Sequence, residues 1–167
     1  MDKYCRALLL VILMFSNSVT ANEIATPAEK VILTVFGNIE HTNSEQGAQF
    51  DRAMLLGLKQ TEVSTETPWT NGTPQFEGPL IKDLIGLLGG EGKTVVATAL
   101  NGYQISIPME DIDNHSVVLA IKRNNKVLSV RQKGPLWVIY PWSENEELRS
   151  NVYYSRSIWQ LKSLEVR

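Results

Sequence analysis

Short runs of apolar and β-branched residues, separated by polar turns, recur along the chain from residue 31 onward. Such runs predict β-strands, because branched and aromatic side chains pack well on a pleated surface. Between two of the runs, Asn124-Asn125 indicates a tight hairpin turn. The predicted strands occupy residues 31–39, 61–67, 94–100, 104–107, 117–121, 127–130, 136–140 and 158–166.

Two segments carry apolar residues at helical spacing instead. In residues 50–58 the apolar side chains recur every three or four positions, and Asp51 stands in the predicted first turn. Residues 80–88 are apolar on most sides. This pattern predicts a short, deeply packed helix, which Gly89-Gly90 would end.

The remaining segments predict loops within one domain. Residues 41–49 are polar, and residues 68–79 combine proline, glycine and aromatic residues in the manner of an ordered loop. Many strands with a few short helices are typical of a mixed β-sheet domain of the α+β class. We therefore predict a single α+β domain over residues 31–167.

The first residues have the pattern of a secretory signal peptide. Lys3 and Arg6 precede an apolar run at residues 7–15, and small residues follow up to Ala21. The run is shorter than the ~20 residues of a membrane-spanning helix. We expect a signal peptide at residues 1–21, a flexible lead-in at 22–30, and a periplasmic or secreted protein that does not span the membrane after cleavage. An uncleaved N-terminal anchor is the alternative.

Composition excludes several classes of function. The chain has 167 residues and a formal net charge of −2. Its isoelectric point of about 5.7 gives no broad basic surface for nucleic acid. The one cysteine, Cys5, lies within the predicted signal peptide, so the mature chain would have no disulfide and no thiolate ligand. His41 and His115 lack the spacing of metal ligands, and we predict no metal site.

The most informative residues are aromatic and basic ones near the predicted loops. One interpretation is that these side chains form the core and rim of a small domain. The other is a concave site with aromatic walls and cationic groups, which would bind an anionic small molecule. The residues concerned include Trp69, Tyr103, Arg131, Lys133, Trp137, Arg156 and Trp159.

Five stretches of the sequence, taken in order, resemble the molybdopterin-binding domain of sulfite-oxidase-type oxidoreductases, in its small secreted form. The resemblance covers roughly residues 30–167. The stretches are residues 65–69, 76–84, 101–108, 118–141 and 156–166.

The resemblance implies a mixed α+β fold that holds a molybdenum-pterin cofactor between loops, with one cysteine thiolate on the metal. Such enzymes transfer oxygen atoms or reduce sulfoxides and related groups. Tyr103 matches the tyrosine beside the metal in this family, and is the candidate catalytic residue. The candidate cofactor-binding or ligand-binding residues are Thr65, Trp69, Asn101, Tyr103, Arg131, Lys133 and Arg156.

The sequence departs from the family at three positions that bear on the cofactor. Thr65 stands closest to the place of the cysteine, and a hydroxyl cannot replace a thiolate as a soft ligand. Trp137 and Ile158 replace two cations that contact the phosphate in the family. We therefore expect no bound cofactor, with molybdopterin as the alternative.

These departures favour a ligand-binding or partner-binding module that has lost the molybdenum chemistry. Two alternatives remain open. The chain could be an active molybdopterin-dependent oxidoreductase that uses Tyr103. It could instead be an accessory to a periplasmic or membrane signalling or redox protein, with Trp142 and the acidic run at residues 144–147 as its contact surface.

Overall fold

The computed structural model describes residues 24–167, which contain eleven strands and four short α-helices. The strands are β1 (Leu33–Gly37), β2 (Ala48–Phe50), β3 (Thr61–Ser64), β4 (Gln75–Gly78), β5 (Thr94–Ala99), β6 (Gln104–Pro108), β7 (Val118–Ala120), β8 (Lys122–Arg123), β9 (Lys126–Val127), β10 (Trp137–Ile139) and β11 (Leu161–Val166). The helices are α1 (Arg52–Gly57), α2 (Ile81–Leu87), α3 (Met109–Asn114) and α4 (Asn151–Arg156). Two 3₁₀ turns cover Val130–Gln132 and Glu146–Leu148.

The largest sheet has the order β2-β1-β11-β5-β6. The last strand, β11, lies between β1 and β5, and pairs parallel with β1 and antiparallel with β5. Leu161, Leu164 and Val166 of β11 are buried while Lys162 is exposed, so the strand packs one apolar face on the core; a register shift between Leu161 and Ser163 interrupts the strict alternation. The two ends of the described chain are thus joined in one sheet.

Two smaller sheets complete the domain. One pairs β10 with β7, and the other has the order β3-β4-β8-β9. Asn124 and Asn125 connect β8 to β9 with φ values of 49° and 60°, as a tight turn with left-handed central residues requires. The hairpin turn predicted at this pair is confirmed.

The core lies where these sheets meet, and aromatic residues occupy much of it. β7 and β10 are buried at every position, which explains why their sequences are continuously apolar rather than alternating. The helices α1 and α2 each bury one side, with Leu55 from α1 and Leu84 from α2. The largest fully buried aromatic side chains are Trp137, Trp142, Tyr140, Phe50 and Phe76.

Both helices predicted from periodicity are present, and α2 ends at Leu87, with Leu88 as its C-cap and Gly89 next in a left-handed conformation at a φ of 60°. Asp51 caps α1: its carboxylate accepts hydrogen bonds from the backbone N–H of Met54 at 2.9 Å and of Ala28 at 2.9 Å. These amides, with that of Met54 first, hold the pKa of the Asp51 carboxyl below its ordinary value. Through Ala28, the end of the predicted lead-in is hydrogen-bonded to the domain.

Several elements differ from the sequence predictions. The predicted loops contain β2 and β4, and the helices α3 and α4 were not predicted. These elements have three to six residues, too few to establish a period. The strand predicted at 127–130 ends at Val127, and the one predicted at 158–166 begins only at Leu161.

The signal peptide predicted at residues 1–21 lies outside the described residues. Among residues 24–167, no helix has the length and apolar character needed to cross a membrane.

Candidate functional site

A cleft of about 390 Å³ opens beside the turn that follows β5. One wall comes from the loop between β3 and β4, and another from the segment that leads from α4 into β11. The volume lies within the ~300–1,000 Å³ range of small-molecule sites. The lining residues are Trp69, Ala99, Asn101, Tyr103, Tyr154, Ser155, Ser157, Ile158, Trp159 and Gln160.

Aromatic rings packed edge to face form the walls of the cleft. The ring of Trp69 lies 5.2 Å from that of Trp159 at 70°, and 6.1 Å from that of Tyr154 at 80°. Trp69 also contacts the buried ring of Trp137 at 5.9 Å. Edge-to-face pairs at these distances are favourable beyond the area that they bury, so the walls are held in fixed orientations.

The polar groups of the cleft are amides and hydroxyls. Asn101 accepts a hydrogen bond at Oδ1 from the Tyr103 N–H at 3.0 Å, and Gln160 donates from Nε2 to the Val130 carbonyl at 3.0 Å. Each amide therefore has one end fixed by the protein. Tyr103 is 50% exposed, and its hydroxyl has no hydrogen bond to a residue that the structure describes. The free ends of these three side chains are available to a ligand.

None of the residues that line the cleft carries a charge. One cation, Lys133, lies against the aromatic walls; it has a left-handed φ of 72° and follows the first 3₁₀ turn. Its Nζ lies 3.7 Å from the ring centroid of Trp159, 5.5 Å from that of Trp137 and 6.0 Å from that of Trp69. Burial, followed by the charge of Arg123, lowers the pKa of this ammonium below its ordinary value. Lys133 thus contacts two cleft walls without lining the cleft.

Arg156 lies apart from the cleft lining. Its Nη1 donates to Asp111 Oδ2 at 2.7 Å, and the same oxygen accepts from the Tyr140 hydroxyl at 3.0 Å. Asp111 is 7% exposed. Burial, followed by the charge of Asp111, raises the pKa of the Tyr140 hydroxyl above its ordinary value. The guanidinium is therefore committed to a buried carboxylate that joins α4 to α3.

Thr65 and Arg131 are also outside the cleft. Thr65 is fully buried, and its Oγ1 accepts from the Ser143 N–H at 3.0 Å. The hydroxyl of Ser143 in turn accepts from the Glu66 N–H at 3.0 Å. Thr65 and Ser143 therefore connect the loop after β3 to the loop after β10. Arg131 is exposed on the first 3₁₀ turn.

Of the seven candidate residues, the fold brings Trp69, Asn101 and Tyr103 to the cleft and places Lys133 against its walls. The expected cationic groups are not among the lining residues. Sequence reasoning missed Tyr154, Ser155, Ser157 and Gln160. In the sequence, only their position near Trp159 at the chain end indicated them. The strand predicted over residues 158–166 hid this signal, because it assigned part of the segment to a sheet.

Comparison with known proteins decides the family. The family model described as "oxidoreductase molybdopterin binding domain" matches residues 32–146. This chain belongs to the oxidoreductase molybdopterin-binding domain family. The sequence-based prediction of this family and of its mixed α+β fold is confirmed.

A solved structure supports the fold independently. The sulfane dehydrogenase SoxCD from Paracoccus pantotrophus matches with a TM-score of 0.60 at 17% sequence identity. The match covers 80% of this chain and 37% of that chain, so this protein corresponds to little more than a third of its structural neighbour. A search of curated protein sequences finds no match.

The cleft residues do not fit the cofactor that the family name describes. The lining offers no thiol, carboxylate or imidazole to a metal, and no Lys or Arg to a phosphate. Among the described residues, no group of three His, Cys, Asp or Glu side chains is placed to hold a metal ion. Trp137, at one expected cation position, is fully buried and donates from Nε1 to the Ser157 carbonyl at 3.1 Å. Ile158, at the other, is an apolar part of the lining.

The expected contact surface at Trp142 is wrong. This side chain is 1% exposed and packs 5.8 Å from the ring of Tyr154, centroid to centroid. Tyr140 and Pro141, which connect β10 to Trp142, are also buried, so the chain is still inside the core where it reaches Trp142. The glutamates of the acidic run are exposed, as a solvated surface requires: Glu144, Glu146 and Glu147.

Proposed function

We propose that this protein is an exported member of the family that keeps the fold without the molybdenum centre, and that it binds a small uncharged ligand in its aromatic cleft. The observation that carries the proposal is the lining itself, which combines four aromatic rings with amides and hydroxyls and has no charged group.

The chemistry of the lining favours a particular class of ligand. A charged group moved into this cleft would lose hydration without gaining a partner of opposite charge, which is costly. A flat ring system can pack against Trp69 and Trp159, and its polar edge can bond to the free groups of Asn101 and Gln160. An uncharged heteroaromatic ring therefore suits the cleft better than the anionic molecule that the sequence suggested.

The position nearest to the family's cysteine supports a cofactor-free protein. The Thr65 hydroxyl is buried and hydrogen-bonded to Ser143, and hard oxygen donors of this kind are poor replacements for a thiolate. The signal pattern at residues 1–21 supports export, and cleavage after Ala21 would remove Cys5. Intact mass measurement of the exported protein is expected to place its N-terminus at Asn22.

The first test is the metal and pterin content of the purified protein. The full chain should be expressed with its own signal in a host that makes molybdopterin, and then analysed for molybdenum and for extractable pterin. We expect neither in stoichiometric amount. One molybdenum and one pterin per chain would contradict the proposal and favour the oxidoreductase alternative, with Tyr103 as the first residue to substitute.

The second test measures which ligand the cleft prefers. Pterin and pterin-6-carboxylate share one ring system and differ in charge, so their binding can be compared by quenching of tryptophan fluorescence. We expect the neutral ring to bind more tightly. Tyr103→Ala should weaken this binding several-fold, since it removes one hydrogen-bonding group and part of a wall.

Val152→Ala is the matched control, because Val152 is 52% exposed and does not line the cleft. Tighter binding of the carboxylate would show that the cleft selects an anion. Equal effects of the two substitutions would place the binding elsewhere.

A further inference from the structure

A second concave surface lies on the domain, and none of its residues lines the aromatic cleft. This groove has a volume of about 450 Å³ and runs between the start of β1, the first turn of α1 and the start of β11.

The charged residues of the groove all have one sign. Lys30, Arg52 and Lys162 line it, and no aspartate or glutamate does. None of the three forms an ion pair with a residue in the described part of the chain. Three like charges that share one concavity without a counter-charge raise the local affinity for an anion.

Arg52 carries the most specific signal. Its Nε is buried and has no hydrogen-bond partner among the described residues, and such a group in a native protein calls for an explanation. The adjacent carboxylate of Asp51 forms no ion pair with Arg52, and its oxygens accept the backbone N–H groups of Met54, Ala28 and Glu29 instead. The buried Nε is out of reach of a ligand, but Arg52 lines the groove and forms no ion pair with a described residue, so its terminal Nη groups could donate two parallel hydrogen bonds to a ligand carboxylate.

Apart from Thr34 and Ser163, the other residues of the groove are apolar, and part of that surface is exposed. Leu100 is 48% exposed and Val130 is 52% exposed. Both line the groove, together with Val31, Ile32 and Pro135. The surface therefore offers an apolar contact next to its cationic side chains.

We infer that this groove is a second binding site, which takes an organic anion with an apolar body, such as a medium-chain carboxylate. The carboxylate would lie on Arg52 with Lys162 and Lys30 around it, and the apolar body would cover Leu100 and Val130. This site is distinct from the aromatic cleft, since the two linings share no residue, although Leu100 of the groove lies between Ala99 and Asn101 of the cleft.

The probe is sodium octanoate, titrated into ¹⁵N-labelled protein from expression of the full chain. Amide shifts in the ¹H–¹⁵N spectrum should concentrate at the groove residues, with Tyr103 and Trp159 unaffected. Octanamide lacks the charge and should bind at least about tenfold more weakly, because a charge-assisted hydrogen bond is worth more than one factor of ten. Acetate lacks the apolar chain and should also bind at least about tenfold more weakly, because it buries almost no apolar surface in the groove.

Substitutions then separate this site from a general attraction to anions. Arg52→Gln is expected to weaken octanoate binding about tenfold or more, and Lys162→Gln about threefold, because Lys162 is an exposed charge. Lys126→Gln is the matched control, since it removes one positive charge from the exposed β8–β9 hairpin. If Arg52→Gln fails to fold, Lys162→Gln against Lys126→Gln carries the test.

Four results would overturn the inference. Octanoate could leave the groove amides unshifted, or it could bind in the aromatic cleft and respond to Tyr103→Ala. Octanamide or acetate could bind as well as octanoate. Finally, Lys126→Gln could weaken binding as much as the groove substitutions, which would show attraction to net charge only. A failure of pterin to bind the cleft would leave all of these outcomes unaffected.

Discussion

At the scale of single residues, two opposing effects act on the charged amine of Lys133. Its ammonium lies against the ring of Trp159, and such a contact stabilises the charged form. Burial and the nearby Arg123 disfavour the charged form, and they lower the pKa of the amine. The balance between these effects decides whether the charge of Lys133 raises or lowers the free energy of unfolding near neutral pH.

The pH dependence of stability tests this balance. A lysine whose pKa is lowered by folding binds fewer protons when folded than when unfolded. The charged amine therefore destabilises the folded state fully below the folded pKa, and this destabilisation disappears as the pH rises towards the ordinary value of 10.5. We expect the free energy of unfolding of the wild type, relative to Lys133→Met, to increase between pH 7 and pH 10 in urea titrations. A difference that stays constant or decreases would mean that the indole contact outweighs burial.

At the scale of secondary-structure elements, the cleft depends on how α4 is held. Arg156 near the end of α4 pairs with Asp111 on α3, and Tyr140 after β10 donates to the same carboxylate. The residues that follow Arg156 form one wall of the cleft and then enter β11. This ion pair therefore acts as a positioning contact for the cleft, although its members do not line it.

Removing one partner of this pair should destabilise the domain. Arg156→Met leaves a nearly buried carboxylate without its counter-charge, and we expect a loss of about 2–4 kcal/mol in the free energy of unfolding. Adding Asp111→Asn to that variant should recover part of the loss, because the two residues are coupled. Urea unfolding measures both effects.

Arg167→Met is the matched control. Arg167 Nη2 lies 2.8 Å from Glu165 Oε2, but the Arg167 side chain is 60% exposed, so we expect almost no change in the free energy of unfolding. Equal losses for the two arginine variants would show that the Asp111 pair has no special role in holding α4.

The sequence predicted those elements whose own residues contain the signal. The strands β1 and β5 and the helix α2 are long enough for their apolar period to be read, and Asn124-Asn125 has the local chemistry of its turn. Trp69, Asn101 and Tyr103 were found because they stand next to turns. The opposite wall, from Tyr154 to Gln160, depends on β11 lying between β1 and β5, a long-range pairing that local periodicity does not encode.

At the scale of the whole molecule, the two smaller sheets are joined by a close backbone approach. The N–H of Leu119 donates to the Pro79 carbonyl at 2.9 Å, and the N–H of Ile121 donates to the Glu77 carbonyl at 2.8 Å. Gly78 lies between these carbonyls, and a Cβ at this position would collide with the backbone of Leu119. The packing of β4 against β7 therefore requires glycine.

The substitution Gly78→Ala tests whether this approach holds the domain together. We expect it to lower the free energy of unfolding by at least about 1–3 kcal/mol, because a rigid backbone atom must move to admit the methyl group. Gly86→Ala is the matched control, since Gly86 lies within α2 with open space around its Cβ position. An alanine there should raise the free energy of unfolding by about 0.5–1 kcal/mol, through the smaller entropy of its unfolded chain. Urea unfolding of both variants measures the contrast. Losses of similar size at the two positions would mean that the close approach at Gly78 has no special role in stability.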